Sequence, residues 1–375
     1  MVLQPRMNSS ENSKAGARDL RVVAIGGGTG LSTLLKGLKR YVLTPALADS
    51  GATTIRELCG VVTVSDDGGS SGRLRKEFNM LPPGDIRNCI VALSEDEALL
   101  SRLFQHRFQK GSGLEGHSFG NLFLAALTSI TGDFSEAVRL SSEILLTRGH
   151  IYPATASSVE LETLMEDGTR VRGETKITAS KGKIRELFLV PSDVEPLPQT
   201  LEAIATADLI TIGPGSLFTS LIPNLLVKGI ARGIVESPAV KVFVCNLMTQ
   251  ANESLGLTAA DHIRAVNAHA GVQLFDYALI NQKKASAEML AKYAGEGASQ
   301  IVADLEAIEG LGVCPLLGDY LDEGAVARGL HGSRPQQAKA NRATVTRFRA
   351  WKSGFRSLGR LQEAPGAPEG SSRWD

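Results

Sequence analysis

Polar side chains suited to chemistry gather at a few points in this chain, each just past a short apolar run. Ser65-Asp66-Asp67 follows Gly60-Val-Val-Thr-Val and runs into Gly68, Gly69, Ser70 and Ser71, then Arg73 and Arg75. Paired carboxylates in such a loop can hold Mg²⁺ on a diphosphate, hydrogen-bond a ribose or orient a substrate hydroxyl. The arginines can clamp phosphate oxygens, while a solvated Asp-Gly turn is the plainer alternative. Upstream, Arg21-Val-Val-Ala-Ile25 strikes Gly26-Gly27-Gly28-Thr29-Gly30, and Leu31, Leu34, Leu35 and Leu38 follow at the spacing of a one-faced helix. Strand, glycine loop and helix N-terminus together favour an anion, because glycines admit the ligand to the backbone and the first-turn N–H groups are unpaired. Gly213-Pro-Gly215-Ser216, after the apolar Ala207–Ile212, repeats that arrangement. A nucleotide or phosphorylated metabolite is the expected ligand.

Further candidates sit at the starts of other apolar helices. Pro82-Pro-Gly-Asp85 places Asp85 as an N-cap, with Arg87 and Asn88 in the first turn as ligand contacts or structural groups. Gly116-His117-Ser118-Phe-Gly120 matches the nucleophile-elbow pattern literally, but a polar stretch and a loop precede it where a buried strand is required. It reads better as a helix N-terminus offering His117, Ser118 and Asn121 to a ligand. Asn246 and Thr249 close the strand Val240–Cys245, and Asp261-His262 opens a helix as a catalytic or a structural pair.

The glycine loop departs from known nucleotide fingerprints. Read from Gly26, the dinucleotide motif puts Leu31 where its third glycine or alanine belongs, and the next acidic strand end lies about twice too far downstream. No Lys followed by Ser or Thr comes after the glycines, so the ATPase P-loop fails as well.

These loops need a scaffold. Apolar strands alternate with helical patterns from Asp19 to about Leu127 and again from Leu201 to about Asn281, which predicts an α/β fold with a mostly parallel, Rossmann-like sheet covered by helices. Between them, from Ile151 to about Pro198, Glu160–Leu164, Val171–Ile177 and Ile184–Val190 alternate like hairpin strands around an Asp167-Gly168 turn, an antiparallel β excursion forming a subdomain or lid. The expected organisation is a disordered tail over 1–18, one nucleotide-binding domain over 19–330 with a β subdomain at about 151–198, and a basic tail over 331–375. That tail carries a net charge of +6 and a stripe of Val345, Phe348, Trp351, Phe355, Leu358 and Leu361. It predicts a helix docking on its own domain or a partner subunit, with peripheral membrane contact as the alternative.

Composition narrows the class. Forty basic and forty acidic residues balance, so no nucleic-acid partner is expected. The four widely spaced cysteines fit buried thiols in a reducing compartment. The N-terminal residues lack an apolar signal region, and no run of about eighteen apolar residues occurs. A cytoplasmic protein is expected.

Six segments in order, IGGGTGLSTLLKGLK at 25–39, VTVSDDGGSSGRLR at 62–75, LPPGDIRNCIVAL at 81–93, GHSFGNLFLAALT at 116–128, ADLITIGPGSLFTSLIPNLL at 207–226 and VFVCNLMTQ at 242–250, resemble the bacterial gluconeogenesis-factor (YvcK-like) family. That family is related to 2-phospho-L-lactate transferase, and the resemblance runs from about Arg21 to about Asp322. It implies a Rossmann-like domain binding a UDP-sugar such as UDP-N-acetylglucosamine and regulating cell shape and cell-wall synthesis during gluconeogenic growth. A protein partner in cell-wall synthesis and a homo-oligomer are expected with it. The alternative it carries is a Mg²⁺-dependent transferase of phosphorus-containing groups, with Asp66 or Asp67 holding the metal; Mg²⁺ is the one cofactor considered. After Met248-Thr-Gln250 the family pattern is Pro-Gly-Glu-Thr and then Gly-Tyr, where this chain has Ala251-Asn-Glu-Ser254 and then Gly256-Leu257. A ring that could stack on the ligand is therefore absent.

Overall fold

The computed structural model describes residues 19–321 apart from 45–46, 48–52, 96–98, 181 and 296. The expected N-terminal tail and the basic tail with its apolar stripe from Val345 to Leu361 lie outside the described residues.

β1 (Asp19–Gly26) is the keystone, because its apolar residues Val22 to Ile25 are all at most 1% exposed and parallel strands flank it on both sides. The neighbours are β2 (Thr54–Val62) and β7 (Leu209–Ile212), and β3 (His150–Pro153) closes the sheet beyond β2. On the other wing come β8 (Val240–Val244), β9 (Tyr277–Asn281) and β10 (Cys314–Gly318). The order β10-β9-β8-β7-β1-β2-β3 is parallel throughout. Chain order reverses between β1 and β7, and at such a switch point the loops leaving the two strands diverge and open a crevice. Register sets the rim: Gly26 pairs with Val62, and Ile25 with Ile212, so the loops after β1, β2 and β7 begin at one level.

The leucine stripe behaves as its spacing predicts. Leu31, Leu34, Leu35 and Leu38 of the helix Gly28–Leu38 are buried, and Leu35 packs so tightly over β2 that a Cβ on Gly60 would lie 3.0 Å from its Cδ1. Truncating such a leucine to alanine costs about 2–5 kcal/mol.

Between β3 and β7 lies a separate three-stranded antiparallel sheet of β4 (Glu160–Met165), β5 (Arg170–Arg172) and β6 (Ile184–Val190), in the order β5-β4-β6. Asp167-Gly168 is the turn, with Gly168 at φ 85°. The strand expected over Val171–Ile177 stops at Arg172. Gly173, at φ 98°, turns the chain into a short helix, Glu174–Ala179, whose Ile177 alone is buried. Two edge strands escaped the sequence reading. Ile151–Pro153, counted with the β excursion, belongs to β3, and β10 carries a proline that a sheet edge tolerates.

Asp261 and His262 are structural. Asp261 completes a capping box with Thr258, and the His262 Nδ1 bonds the Thr258 carbonyl at 2.8 Å. No single described helix is long and apolar enough to cross a membrane.

Candidate functional site

The loops after β1, β2, β7 and β8 and the lid helix Glu174–Ala179 enclose a cavity of about 590 Å³ at the switch point. Of the residues singled out by sequence, Gly27, Gly28, Thr29, Gly30, Asp66, Gly68, Asn88, Gly215 and Ser216 border it. The β1 and β7 loops touch directly: a Cβ on Gly30 would lie 2.3 Å from the Pro214 carbonyl oxygen and 3.0 Å from the Gly215 nitrogen. Gly28 sits at φ 61°, a left-handed conformation that favours glycine.

Several amides expected to meet an anion are already engaged. The Gly28 N–H donates to Asp85 Oδ2 at 2.7 Å, the Gly68 N–H to Asp66 Oδ1 at 2.9 Å, and the Gly215 N–H to Asn246 Oδ1 at 3.0 Å. Asn246 also donates back to the Gly215 carbonyl, so it braces the loop from behind. Thr29 and Gly30, in the first helical turn, keep N–H groups that no intrahelical carbonyl can reach.

Arg73, Arg75 and Arg87 do not border this cavity. Arg73 donates to the Glu115 carbonyl, and Arg75 to the Val159 carbonyl and Ser158. Arg87, buried, reaches Ser118 Oγ and Asn88 Oδ1, and burial together with nearby Arg107 lowers its pKa to about 10. None of the described residues lining the cavity is a lysine or arginine.

His117, Ser118 and Asn121 form a hydrogen-bonded layer behind the cavity instead of a wall of it. Ser118 caps the helix Phe119–Thr131, Ser70 Oγ bonds His117 Nδ1 at 2.9 Å, and Asn121 donates to Ser70 at 3.0 Å. Burial and the Arg73 charge hold the His117 pKa below its ordinary value. The capping role of Ser118, with no strand before it, removes the nucleophile-elbow reading. Gly26 and Gly213 end or follow their strands and Gly69 starts the helix Gly69–Phe78, while Thr249 pairs with Ser299, away from the cavity. Asp67 also turns aside: its Oδ1 accepts from both the N–H and the hydroxyl of Thr175, fastening the lid helix to the β2 loop.

Acids dominate what remains. Asp66, Asp85, Glu174 and Glu253 all border the cavity. Burial pushes the Asp85 carboxyl up to about 7, with the Asp66 charge adding to the shift and the Gly28 N–H and Arg87 opposing it. Burial also raises Asp66, and raises Glu174 well above the carboxylate range, helped by the negative charges of Asp66 and Asp85. Glu253, likewise raised by burial, accepts from the Phe218 N–H and the Thr219 hydroxyl and so fixes the start of the turn after the β7 loop. Among the described residues no three His, Cys, Asp or Glu side chains form a metal cage.

Sequence reading missed Asp85 as a cavity residue, and Glu174, Thr175, Thr178 and Glu253 altogether, whereas Gln250 closes the polar segment after β8 that it set at the rim. Asp85, expected as an N-cap, lies inside the helix Gly84–Leu93, which Pro83 opens, and its carboxylate bonds an amide 57 positions upstream. Gly173 in the middle of a supposed strand was the one signal that could have exposed the lid helix.

Comparison with known proteins places this architecture. The family model described as 2-phospho-L-lactate transferase CofD matches residues 22–321. A protein of Halalkalibacterium halodurans named gluconeogenesis factor is 50% identical over 299 residues, covering 80% of this chain and 88% of that one. One of the same name from Bacillus subtilis is 47% identical over 293 residues, 78% of this chain and 88% of the relative. A Nostoc protein provisionally given that name is 50% identical over 307 residues, and there the match takes in 82% of this chain but only 64% of the relative. A crystal structure of a Bacillus halodurans protein superposes with a TM-score of 0.77 at 48% identity, over 82% of this chain and 94% of that chain.

Proposed function

The chain belongs to the CofD family, among members named gluconeogenesis factors, and from that premise we propose that it is a nucleotide-sugar-binding regulator. Its ligand is a UDP-sugar of the UDP-N-acetylglucosamine type, and its output, through a protein partner, is control of cell-wall synthesis and cell shape during gluconeogenic growth. The observation that carries this reading is the cavity of about 590 Å³ at the switch point, bordered by both glycine loops. Its size falls within the ~300–1,000 Å³ range of small-molecule sites. The ligand diphosphate lies toward the first-turn amides of Thr29 and Gly30, where the helix dipole favours negative charge.

A diphosphate entering a cavity walled by carboxylates and free of basic side chains needs a counter-cation. Asp66 and Asp85 would supply two carboxylates to Mg²⁺, the number that ion takes when phosphate oxygens and water complete its shell. Bound there, the ion would neutralise phosphate charge. The same pair favours a second reading, a transferase of phosphorus-containing groups, in line with the description of the family model.

Titration calorimetry with UDP-N-acetylglucosamine, UDP and GDP, with and without Mg²⁺, separates the readings. Saturable binding of the UDP-sugar without turnover is expected. With a guanosine diphosphate adduct and a hydroxyl acceptor supplied, Mg²⁺-dependent release of GMP as the phosphoryl-bearing group passes to the acceptor oxygen would replace the regulator by the transferase.

A further inference from the structure

Gln250 follows β8 and borders the cavity. Its Nε2 donates to Ser216 Oγ at 2.7 Å, while its Oε1 is buried with no hydrogen-bond partner. A buried acceptor left unpaired costs free energy, so an orphan oxygen beside a ligand cavity points to a donor that arrives with the ligand.

The surroundings of that oxygen define the donor. Asn252, two residues on, donates to the Thr178 carbonyl at 2.8 Å and holds this segment against the lid helix, and Gln250 and Glu174 both border the cavity. Glu253 adds a further carboxyl there. Phosphate oxygens facing such a wall meet the unpaired Gln250 oxygen and a Glu253 carboxyl that already accepts from the Phe218 N–H and the Thr219 hydroxyl, with no basic side chain beside them. A uracil ring presents two carbonyl oxygens for its single N–H, and most of its polar edge would stay unpaired. A pyranose offers a hydroxyl donor at several carbons, which is what a wall of acceptors can pair.

We propose that Gln250 reads the glycosyl part of the ligand: its Oε1 accepts a hydroxyl hydrogen of the pyranose beneath the lid helix, which makes Gln250 a specificity-determining residue. The inference rests on the nucleotide-sugar reading above and adds to it the end of the cavity the sugar occupies and the atom that selects it.

Calorimetry on the full chain tests it, using UDP, UDP-glucose and UDP-glucose analogues lacking each sugar hydroxyl in turn. In the unaltered protein one deoxy analogue is expected to bind about tenfold more weakly than UDP-glucose. Gln250→Met, close in volume but without the acceptor, should lose about tenfold for UDP-glucose, hold UDP within about twofold, and no longer distinguish that analogue. Equal weakening of UDP and UDP-glucose would overturn the proposal, because Gln250 would then act only through Ser216 and the phosphate loop. Deoxy analogues that all bind like UDP-glucose would overturn it too, and that series needs no variant to fold. If the unaltered protein binds neither UDP nor UDP-glucose, the nucleotide-sugar reading itself fails and takes the inference with it.

Discussion

Replacing Asp85 by asparagine should make the ligand-free protein more stable at neutral and alkaline pH. Asp85 accepts from the Gly28 N–H, and burial raises its carboxyl from the ordinary 3.8 to about 7. Below pH 3.8 the folded and unfolded chains both hold the proton, and the site costs nothing. As pH rises past that value the unfolded chain ionises first, so folding becomes progressively less favourable until the folded carboxyl also ionises near 7. The full cost is about 4 kcal/mol. Water admitted to the cavity screens part of it, so a gain of about 2 kcal/mol is expected for Asp85→Asn at pH 8. The asparagine oxygen still accepts from Gly28, and its amide turns a donor toward Asp66. Urea denaturation in the presence of a chelator, repeated from pH 8 down to pH 4, should show the advantage shrinking toward zero. A variant less stable than the parent at pH 8, or an advantage independent of pH, would refute the assignment of a strained, buried carboxyl at the glycine loop.

Gly30→Ala should drive the β1 and β7 loops apart, because the new Cβ meets the Pro214 carbonyl and the Gly215 nitrogen of the β7 loop, and should cost about 1–3 kcal/mol in thermal unfolding. Gly37→Ala in the same helix, with nothing within 4 Å of its Cβ, should gain about 0.5–1 kcal/mol, and similar behaviour of the two variants would disprove the loop contact. Asp67→Ala should shift global stability by less than about 0.5 kcal/mol while amide exchange across Glu174–Ala179 accelerates at least about tenfold, since Thr175 loses its partner. Unchanged exchange in that helix would show that Asp67 does not hold the lid.

The sequence was most readable where one face of an element decides its period. The run from Val22 to Leu38 announces strand, loop and helix because every inward residue is aliphatic. The first half of β2 was less legible, because the strand begins at Thr54, six residues before the stretch read from Gly60, and carries Arg56 and Glu57. The lid helix was read as strand because Val171 to Ile177 alternates, yet one buried residue is all that short helix needs. The glycine loops were found, but their occupancy was not, since the carboxylate and amide that engage Gly28 and Gly215 come from positions 57 and 31 residues away. Local pattern carries no information about such closures.

The three-stranded unit enters after β3 and returns before β7, so it lends residues to the cavity without supplying any strand of the main sheet. Glu174, Thr175 and Thr178 shape the cavity wall from outside the sheet, where the register of β1 against β2 and β7 does not depend on them. Inheritance of the scaffold and inheritance of its selectivity are thereby carried by different stretches of chain. A chain built on this plan can change part of the lining of its cavity within the insert and leave every strand of the main sheet as it was.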